Sequence, residues 1–326
     1  MSDFRKNDIV AIGEVLIDFT TESKDAGGYP MLQAHPGGAP ANFLAAAAKL
    51  GFNTGFIGKV GNDAFGRLLL KTLSEKNIDT SGVIITNDAF TTLAFVTLDE
   101  KGDREFSFAR KPGADSMLTT SEVSENMIKN ASILHMGSLL MTTKTGTDST
   151  LRACEIAREN GLIISYDPNY RPPLWSDPEE AKTKMLLGAR QADIMKISEE
   201  EVEFMFGFDR KNAAEKLLEA LPQLKIVMVT LGPDGAIIRS GANEVSIKAP
   251  KVTPIDTTGA GDICGGSFAA QLLRLPEEAR IAYFKKGEPV PADVLKKAGT
   301  YAVWAASTST QKHGGMDSVP EEKEFV

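Results

Sequence analysis

Short apolar runs alternate with longer amphipathic segments along the chain, and this alternation predicts strands and helices in turn. The runs that are apolar on both faces of an extended chain are 9–13, 133–137, 162–166, 194–197 and 226–230. Near-continuous apolar strands are typical of a sheet that is covered on both sides, and therefore of a parallel sheet. The segments 42–50, 148–160 and 212–221 predict helices between them. This order predicts an α/β fold with three layers around a doubly wound, mostly parallel sheet.

Two segments depart from this rhythm. Residues 20–34 contain Gly27, Gly28 and Pro30 with little helical signal. Residues 91–110 alternate between apolar and polar positions around a turn at 101–103, which is the signature of a β-hairpin. We expect both segments to form a small antiparallel sheet that projects from the core. The whole chain, 1–326, is then a single domain with this small sheet inserted.

Composition narrows the function classes. The 326 residues are 42% hydrophobic and 25% charged, so the chain can bury a large core without disulfides or metals. A net charge of −8 argues against nucleic acid or an anionic membrane as the main partner. Two cysteines and three scattered histidines argue against a disulfide framework and against a cysteine- or histidine-rich metal site. With no secretory signal and no membrane-spanning run, the chain is predicted to be cytoplasmic.

The strongest chemical signal is the segment 256–262, Asp-Thr-Thr-Gly-Ala-Gly-Asp, which precedes a helix-like stretch at 267–275. Glycine backbone can approach a ligand closely, and a helix N-terminus attracts anions, so the segment predicts a phosphate site. It is not a Walker loop, and Cys264 stands where a dinucleotide fingerprint needs its third glycine. Asp262 either caps the helix or acts as a base beside the phosphate.

A second glycine cluster lies at 36–42, Pro-Gly-Gly-Ala-Pro-Ala-Asn, before an alanine-rich helix. One interpretation is a turn with Asn42 as the N-cap of that helix. The other is a polyol site made from the bare backbone of Gly37 and Gly38 and the Asn42 amide.

Together the two clusters resemble the two signatures of the ribokinase-like (PfkB) sugar kinases, and the resemblance extends over essentially the whole chain. Residues 58–66 resemble a further block of that family. Within it, several stretches are similar to bacterial and plant-type fructokinases: 13–18, 37–42, 104–106, 114–115 and 166–175. The family usually has Asp-Ala-Phe where this chain has Asp-Ile-Cys at 262–264. The resemblance implies a kinase that transfers phosphate from ATP to fructose, giving fructose 6-phosphate.

The resemblance also implies roles for individual residues. Asp262 is the general base, and the N–H groups of Gly259, Ala260 and Gly261 form an anion hole. The residues implied on the sugar side are Asp18, Gly37, Gly38, Asn42, Arg104, Phe106 and Arg171. Those implied on the side of ATP and magnesium are Thr230, Gly232, Gly235, Thr257 and Glu201. A monovalent cation, K⁺, is implied at Asp256, Thr258 and Gly314.

Each of these roles has a plain structural alternative. Arg104 is also consistent with a surface ion pair, the segment 230–235 with an ordinary turn between strands, and the acids at 199–201 with a helix cap. The two segments of the small sheet resemble the lid that closes over the sugar in this family. That lid often also forms a homodimer. Rival functions are a kinase for 2-keto-3-deoxygluconate, ribose or a nucleoside, a catalytically silent regulatory relative, and a nicotinamide dehydrogenase.

Overall fold

The computed structural model describes residues 7–98 and 104–325. Its strands are β1 (Ile9–Ile12), β2 (Leu16–Lys24), β3 (Pro30–Gly37), β4 (Thr54–Gly61), β5 (Ile78–Thr86), β6 (Leu93–Leu98), β7 (Arg104–Ala109), β8 (Ile133–Gly137), β9 (Ile163–Asp167), β10 (Ile194–Ser198), β11 (Ile226–Thr230), β12 (Ala236–Ser240) and β13 (Asn243–Ile247). Its α-helices are α1 (Ala39–Lys49), α2 (Ala64–Glu75), α3 (Glu125–Lys129), α4 (Lys144–Glu159), α5 (Pro178–Ala189), α6 (Glu199–Phe206), α7 (Ala213–Ala220), α8 (Ala260–Leu273), α9 (Glu277–Arg280) and α10 (Ala292–Ser309).

The large sheet has nine strands in the order β13-β12-β11-β10-β9-β8-β1-β4-β5. The seven strands from β11 to β5 pair in parallel, whereas β12 and β13 are added antiparallel. The five apolar runs of the sequence are β1 and β8 to β11, which are neighbours in the middle of the sheet. The predicted mostly parallel sheet is therefore confirmed.

Helices cover both faces of the large sheet. In β1, Val10 and Ile12 pack in the core with residues of α4 to α7, whereas Ile9 and Ala11 pack on the opposite face with α1, α8 and α10. Successive side chains of a strand point to opposite faces, so both faces of this strand must be apolar. This explains why its sequence shows no polar alternation and confirms the three predicted layers.

A second, small sheet has the order β3-β2-β6-β7. The described parts of the segments 20–34 and 91–110 contribute to its four strands. The β2–β3 and β6–β7 pairs are antiparallel, but β2 and β6 run parallel, so the expectation of a purely antiparallel sheet was wrong. The middle pair is parallel because the chain returns to the large sheet for β4 and β5 between β3 and β6. The turn expected at 101–103 lies outside the described residues.

Among the helices that begin earlier than the sequence predicts, two have boundaries that matter for the site. Helix α1 begins at Ala39, after Gly38 at a φ of 114°, so Asn42 is inside the helix and its predicted role as N-cap is wrong. Helix α8 begins at Ala260, after Gly259 at a φ of 75°. Positive φ at a helix start suits glycine, which pays no steric penalty there. None of the helices in the described residues is long and apolar enough to cross a membrane.

Candidate active site

Several of the predicted site residues lie at the carboxyl edge of the large sheet. Asp167, Ser198 and Thr230 are the last residues of β9, β10 and β11, which are adjacent parallel strands. The carboxyl ends of parallel strands are where open α/β sheets bind ligands. The N-terminal turns of α1 and α8 meet here, because Asn42 of α1 contacts Asp262 of α8.

Asp262 lies in the first turn of α8 and is 7% exposed. Its Oδ2 accepts a hydrogen bond from Asn42 Nδ2 at 2.9 Å, so the carboxylate is bound to a neighbouring helix and does not cap its own. Burial raises the pKa of Asp262 to about 6, and Asp167 adds to this, while Lys196, Asn42 and Arg171 oppose it. A carboxylate with a pKa near neutrality is suited to accept a proton.

Asn42 is held between two glycine turns. A Cβ at Gly259 would lie 3.0 Å from Asn42 Nδ2, and a Cβ at Gly315 would lie 2.3 Å from its Oδ1. The Oδ1 atom is buried without a hydrogen-bond partner among the described residues. The structure therefore joins Asn42 to the carboxylate of Asp262 and leaves its oxygen open to a donor. Gly315 was not singled out from the sequence, since only the fold brings it beside α1.

A buried ion pair lies beneath Asp262. Lys196 Nζ is 2.7 Å from Asp167 Oδ2, and a Cβ at Gly261 would lie 2.9 Å from the same ammonium. Burial opposes the charge of Lys196, but Asp167, Glu201 and Asp262 stabilise that charge and raise the pKa of Lys196 above its ordinary value. Sequence reasoning missed this pair, although a lysine in the apolar strand β10 was a visible signal.

The sugar-side candidates near this carboxylate are Asp18 and Arg171. Burial raises the pKa of Asp18 to about 7; the charge of Arg171 opposes that rise, and Asp256 and Asp262 add to it. Gly37 lies directly over Asp18, because a Cβ there would be 2.3 Å from Asp18 Oδ2. The charge of Arg171 lowers the pKa of both Asp18 and Asp262, and the charge of Asp262 raises that of Asp18.

The turn on the phosphate side is stabilised by hydrogen bonds to the carboxylate of Asp256. Asp256 Oδ1 accepts hydrogen bonds from the N–H and the hydroxyl of Thr258, at 2.9 and 2.7 Å, and its Oδ2 accepts one from Gly314 N–H at 2.9 Å. Asp256, Thr258 and Gly314 are therefore brought together. Ala260 N–H donates to the carbonyl of Thr257 at 3.3 Å, which commits one of the three N–H groups assigned to the anion hole.

Glu201 shows the helix-cap arrangement that the sequence allowed. It forms a capping box with Ser198: Oε2 accepts from Ser198 N–H at 2.8 Å, and Ser198 Oγ accepts from Glu201 N–H. Its Oε1 accepts from Tyr170 N–H at 2.7 Å, which fixes the segment that leads to Arg171. Burial is the main cause that raises its pKa.

The candidates for nucleotide binding lie at the turn after β11. Thr230 Oγ1 donates to Ile197 carbonyl at 3.4 Å, and Gly232 and Gly235 have φ of 53° and 107° in the turn between β11 and β12. A Cβ at Gly235 would lie 1.9 Å from the Ile247 carbonyl, so the tight turn requires glycine there. Arg104 and Phe106 belong to β7, but their side chains lie outside what the structure describes.

The carboxylates that could approach a divalent ion already accept hydrogen bonds from backbone N–H groups. Both oxygens of Glu201 accept N–H groups, and those of Asp167 accept from Lys196 and from Asn169 N–H. Across residues 7–98 and 104–325, no group of three or more His, Cys, Asp or Glu side chains could hold a metal ion. The donor set fits magnesium carried mainly by nucleotide phosphates, which is how this ion is commonly held in kinases.

Comparison with known proteins identifies the family. Residues 6–322 match the family described as pfkB family carbohydrate kinase. Fructokinase-1 of Oryza sativa subsp. japonica is 38% identical over 320 residues, which cover 98% of this chain and 96% of the rice protein.

Solved structures of fructokinases share the fold. One from Xylella fastidiosa with bound ATP has a TM-score of 0.87 and 28% identity, covering 97% of this chain and 95% of that one. One from Vibrio cholerae O395, bound to fructose, ADP and calcium ion, has a TM-score of 0.84 and 29% identity, covering 98% and 97%. The match over almost the full length, together with a buried aspartate at the start of a glycine-flanked helix, places this chain in the pfkB family of carbohydrate kinases.

Proposed function

We propose that this protein transfers the γ-phosphoryl group of ATP to the 6-hydroxyl of fructose and releases fructose 6-phosphate and ADP. The observation that carries the proposal is the carboxylate of Asp262, buried at the N-terminus of α8 and bound to Asn42. The rice relative is named a fructokinase, and the similar Vibrio cholerae structure holds fructose and ADP.

Asp262 acts as the general base in this proposal. One of its oxygens is bound to Asn42, and the other, which accepts no hydrogen bond from the residues that the structure describes, can accept the proton of the sugar hydroxyl. With a pKa of about 6, the carboxylate is ionised at neutral pH and still basic enough to take that proton. A positioned base of this kind contributes a factor of roughly 10²–10⁴ to the rate.

The start of α8 serves as the anion hole. The first N–H groups of a helix have no partner inside the helix, and the helix dipole favours negative charge there. Because Ala260 N–H donates to Thr257, the N–H groups of Gly259 and Gly261 are the better donors to the transferring phosphoryl group. Phosphoryl transfer depends on such positioning and charge stabilisation more than on covalent help from the protein.

The sugar binds between Asp18, Arg171 and the backbone of Gly37 and Gly38. Asp18 has a pKa of about 7, so its carboxyl group can donate to or accept from a sugar hydroxyl near neutral pH. The open Oδ1 of Asn42 accepts a further hydroxyl. We place Arg104 and Phe106 on the sugar side as well, from β7.

ATP lies along the carboxyl edge, over Thr230, Gly232, Gly235 and Thr257. Magnesium, when bound, neutralises charge on the phosphates during transfer. Glu201 supports this region by fixing the backbone at Tyr170 and Ser198. It would contribute to holding a magnesium ion through water, as is common for this ion. We place K⁺ near Asp256, Thr258 and Gly314, where Asp256 ties the two loops together.

The small sheet closes over the sugar as a lid and excludes water, which competes with the sugar for the phosphoryl group. Its edge strand β3 exposes Met31 and Leu32 at 53% and 42%, next to Tyr29 at 72%. An exposed apolar edge is typical of an interaction site, and we assign it to a homodimer. Cytoplasmic location stays a prediction.

A panel of sugars with ADP detection tests the proposal. Fructose, ribose, 2-keto-3-deoxygluconate and adenosine are each given with ATP and magnesium, and kcat/KM is compared. We expect the highest value with fructose. A much higher value with another member of the panel would move the substrate to that compound while leaving the kinase assignment intact, and absence of ADP release with every sugar would favour a silent relative.

A further inference from the structure

The chain passes between the core and the small sheet four times in the described residues. It leaves β1 for β2 through 13–15, returns from β3 to α1 at Gly38, leaves β5 for β6 through 87–92, and returns from β7 to a short helical turn, Ala114–Met117, through 110–113. Any motion of the small sheet must bend these four connections. Side chains that join them therefore control how the small sheet sits over the pocket.

The first two connections are joined by Glu14. Its Oε1 accepts a hydrogen bond from Ala39 N–H at 2.9 Å, and the side chain is 2% exposed. The two connections also touch through backbone, since a Cβ at Gly38 would lie 2.6 Å from the carbonyl oxygen of Glu14. We name the Glu14–Ala39 contact the first clamp.

The other two connections are joined by Asp115, which is 1% exposed. Its Oδ1 accepts from the hydroxyl of Thr92, just before β6, at 2.5 Å. Its Oδ2 accepts from Arg110, just after β7, with Nε at 2.8 Å. Arg110 is tied in turn to the core, donating to Thr142 Oγ1 at 2.7 Å and to the Leu139 carbonyl at 2.9 Å. We name the Thr92–Asp115–Arg110 contacts the second clamp.

The two clamps lie close enough to influence one another. Burial is the main cause that raises the pKa of Glu14 to about 7, and the charges of Asp115 and Arg110 act on it in opposite directions. Gly113 fits between the partners of the second clamp, because a Cβ there would lie 1.9 Å from Thr92 Oγ1. Buried charged groups are a poor source of stability compared with apolar packing. Their value here is in fixing the geometry of the connections.

We infer that Glu14 and Asp115 are positioning residues for phosphoryl transfer, because they tie the four connections of the small sheet in two pairs and so hold that sheet over the sugar. This rests on the proposed closure of the small sheet. Neither carboxylate needs to touch the substrate. A loosened second clamp admits water to the γ-phosphoryl group. Water then replaces the sugar hydroxyl: the bond from the β,γ-bridging oxygen to phosphorus breaks, a bond from the water oxygen forms, and ADP, inorganic phosphate and a proton are released.

Thr92→Val tests the second clamp, since it removes the hydroxyl and nearly keeps the shape. We expect the KM for sugar to rise by about tenfold or more, as the loss of a hydrogen bond to a buried charge implies. The KM for ATP stays within about twofold, because the phosphate site lies on α8. The ratio of inorganic phosphate to sugar phosphate rises above that of the unaltered protein. Thr92→Ser keeps the hydroxyl, so we expect its sugar KM and its phosphate ratio to match those of the unaltered protein.

Thr150→Val is the matched control, because Thr150 is also 1% exposed and donates its hydroxyl to the Gly146 carbonyl at 2.8 Å inside α4. We expect it to lower the melting temperature without changing either KM or the phosphate ratio. Asp115→Asn is a second probe of the clamp with the same expected signs. The inference is overturned if Thr92→Val leaves the sugar KM and the phosphate ratio unchanged, or if Thr150→Val alters them equally. The unaltered protein is assayed with its best sugar, so a wrong substrate assignment shows there first and leaves this comparison valid.

Discussion

Replacing Asp262 by asparagine separates chemistry from stability in a single change. The amide cannot take a proton from the sugar hydroxyl, but its oxygen can still accept the hydrogen bond that Asn42 Nδ2 makes at 2.9 Å. We expect kcat to fall by a factor of roughly 10²–10⁴, which corresponds to about 3–5 kcal/mol of transition-state stabilisation. The measurement is ADP release at saturating sugar and ATP.

The same substitution is expected to keep or raise the melting temperature at pH 7. The pKa of Asp262 is raised in the folded protein to about 6 from an ordinary value of 3.8, so the folded state binds a proton more readily than the unfolded chain does. Stability therefore falls as the pH rises from about 4 to about 6, and at pH 7 the ionised, buried carboxylate is a cost. Asparagine removes that cost because it carries no charge.

Asp193→Asn is the control for this experiment. Asp193 is a half-buried carboxylate whose pKa is raised, mainly by burial, and its Oδ2 accepts from Ile164 N–H at 2.8 Å, just before β10 and away from the carboxyl edge. We expect this variant to keep its turnover. Near-normal turnover in Asp262→Asn would remove Asp262 from the role of base, and a large fall in its melting temperature would show that the carboxylate is structural.

Three further outcomes follow from the site. The value of kcat/KM is expected to fall as the pH drops below about 6, where Asp262 becomes protonated, and a flat profile between pH 5 and 8 would contradict this. Asn42→Ala removes a hydrogen bond that lowers the pKa of Asp262, so the pH at which kcat/KM begins to fall is expected to be higher in this variant. A loss of sugar affinity with no change in that pH would limit Asn42 to sugar binding. Lys196→Met leaves Asp167 buried and unpaired, and urea unfolding is expected to show a loss of about 3–5 kcal/mol, whereas an unchanged free energy of unfolding would show that the pair contributes no net stability.

The parts of the fold that the sequence predicts are those with a local physical cause. Strands such as β10 and β11 are apolar on both faces because helices cover the sheet on both sides, and periodicity records this directly. Helix starts were predicted less well. Gly38 and Gly259 begin α1 and α8 through positive φ, and periodicity does not detect a start that depends on glycine conformation.

The candidate site was predicted from its local motifs and missed where it depends on distant pairing. Asp262 was predicted as a site residue because glycines lie close to it in sequence. The hydrogen bond from Asn42 to Asp262 joins residues 220 positions apart. Lys196 of β10 contacts Asp167 of the neighbouring strand β9. Such pairs depend on sheet register and helix packing, so the spacing of residues in the sequence does not predict them. A lone lysine in an apolar strand was the remaining clue.

The most direct test of the proposed reaction is to identify the product formed from fructose and ATP. The complete reaction, run with the unaltered protein and with Asp262→Asn, can be followed by ³¹P NMR so that every phosphorylated product is identified. We expect the unaltered protein to form fructose 6-phosphate and ADP in equal amounts. The variant is expected to form almost no fructose 6-phosphate over the same time. Fructose left unphosphorylated by the unaltered protein, or full product formation by the variant, would contradict this expectation.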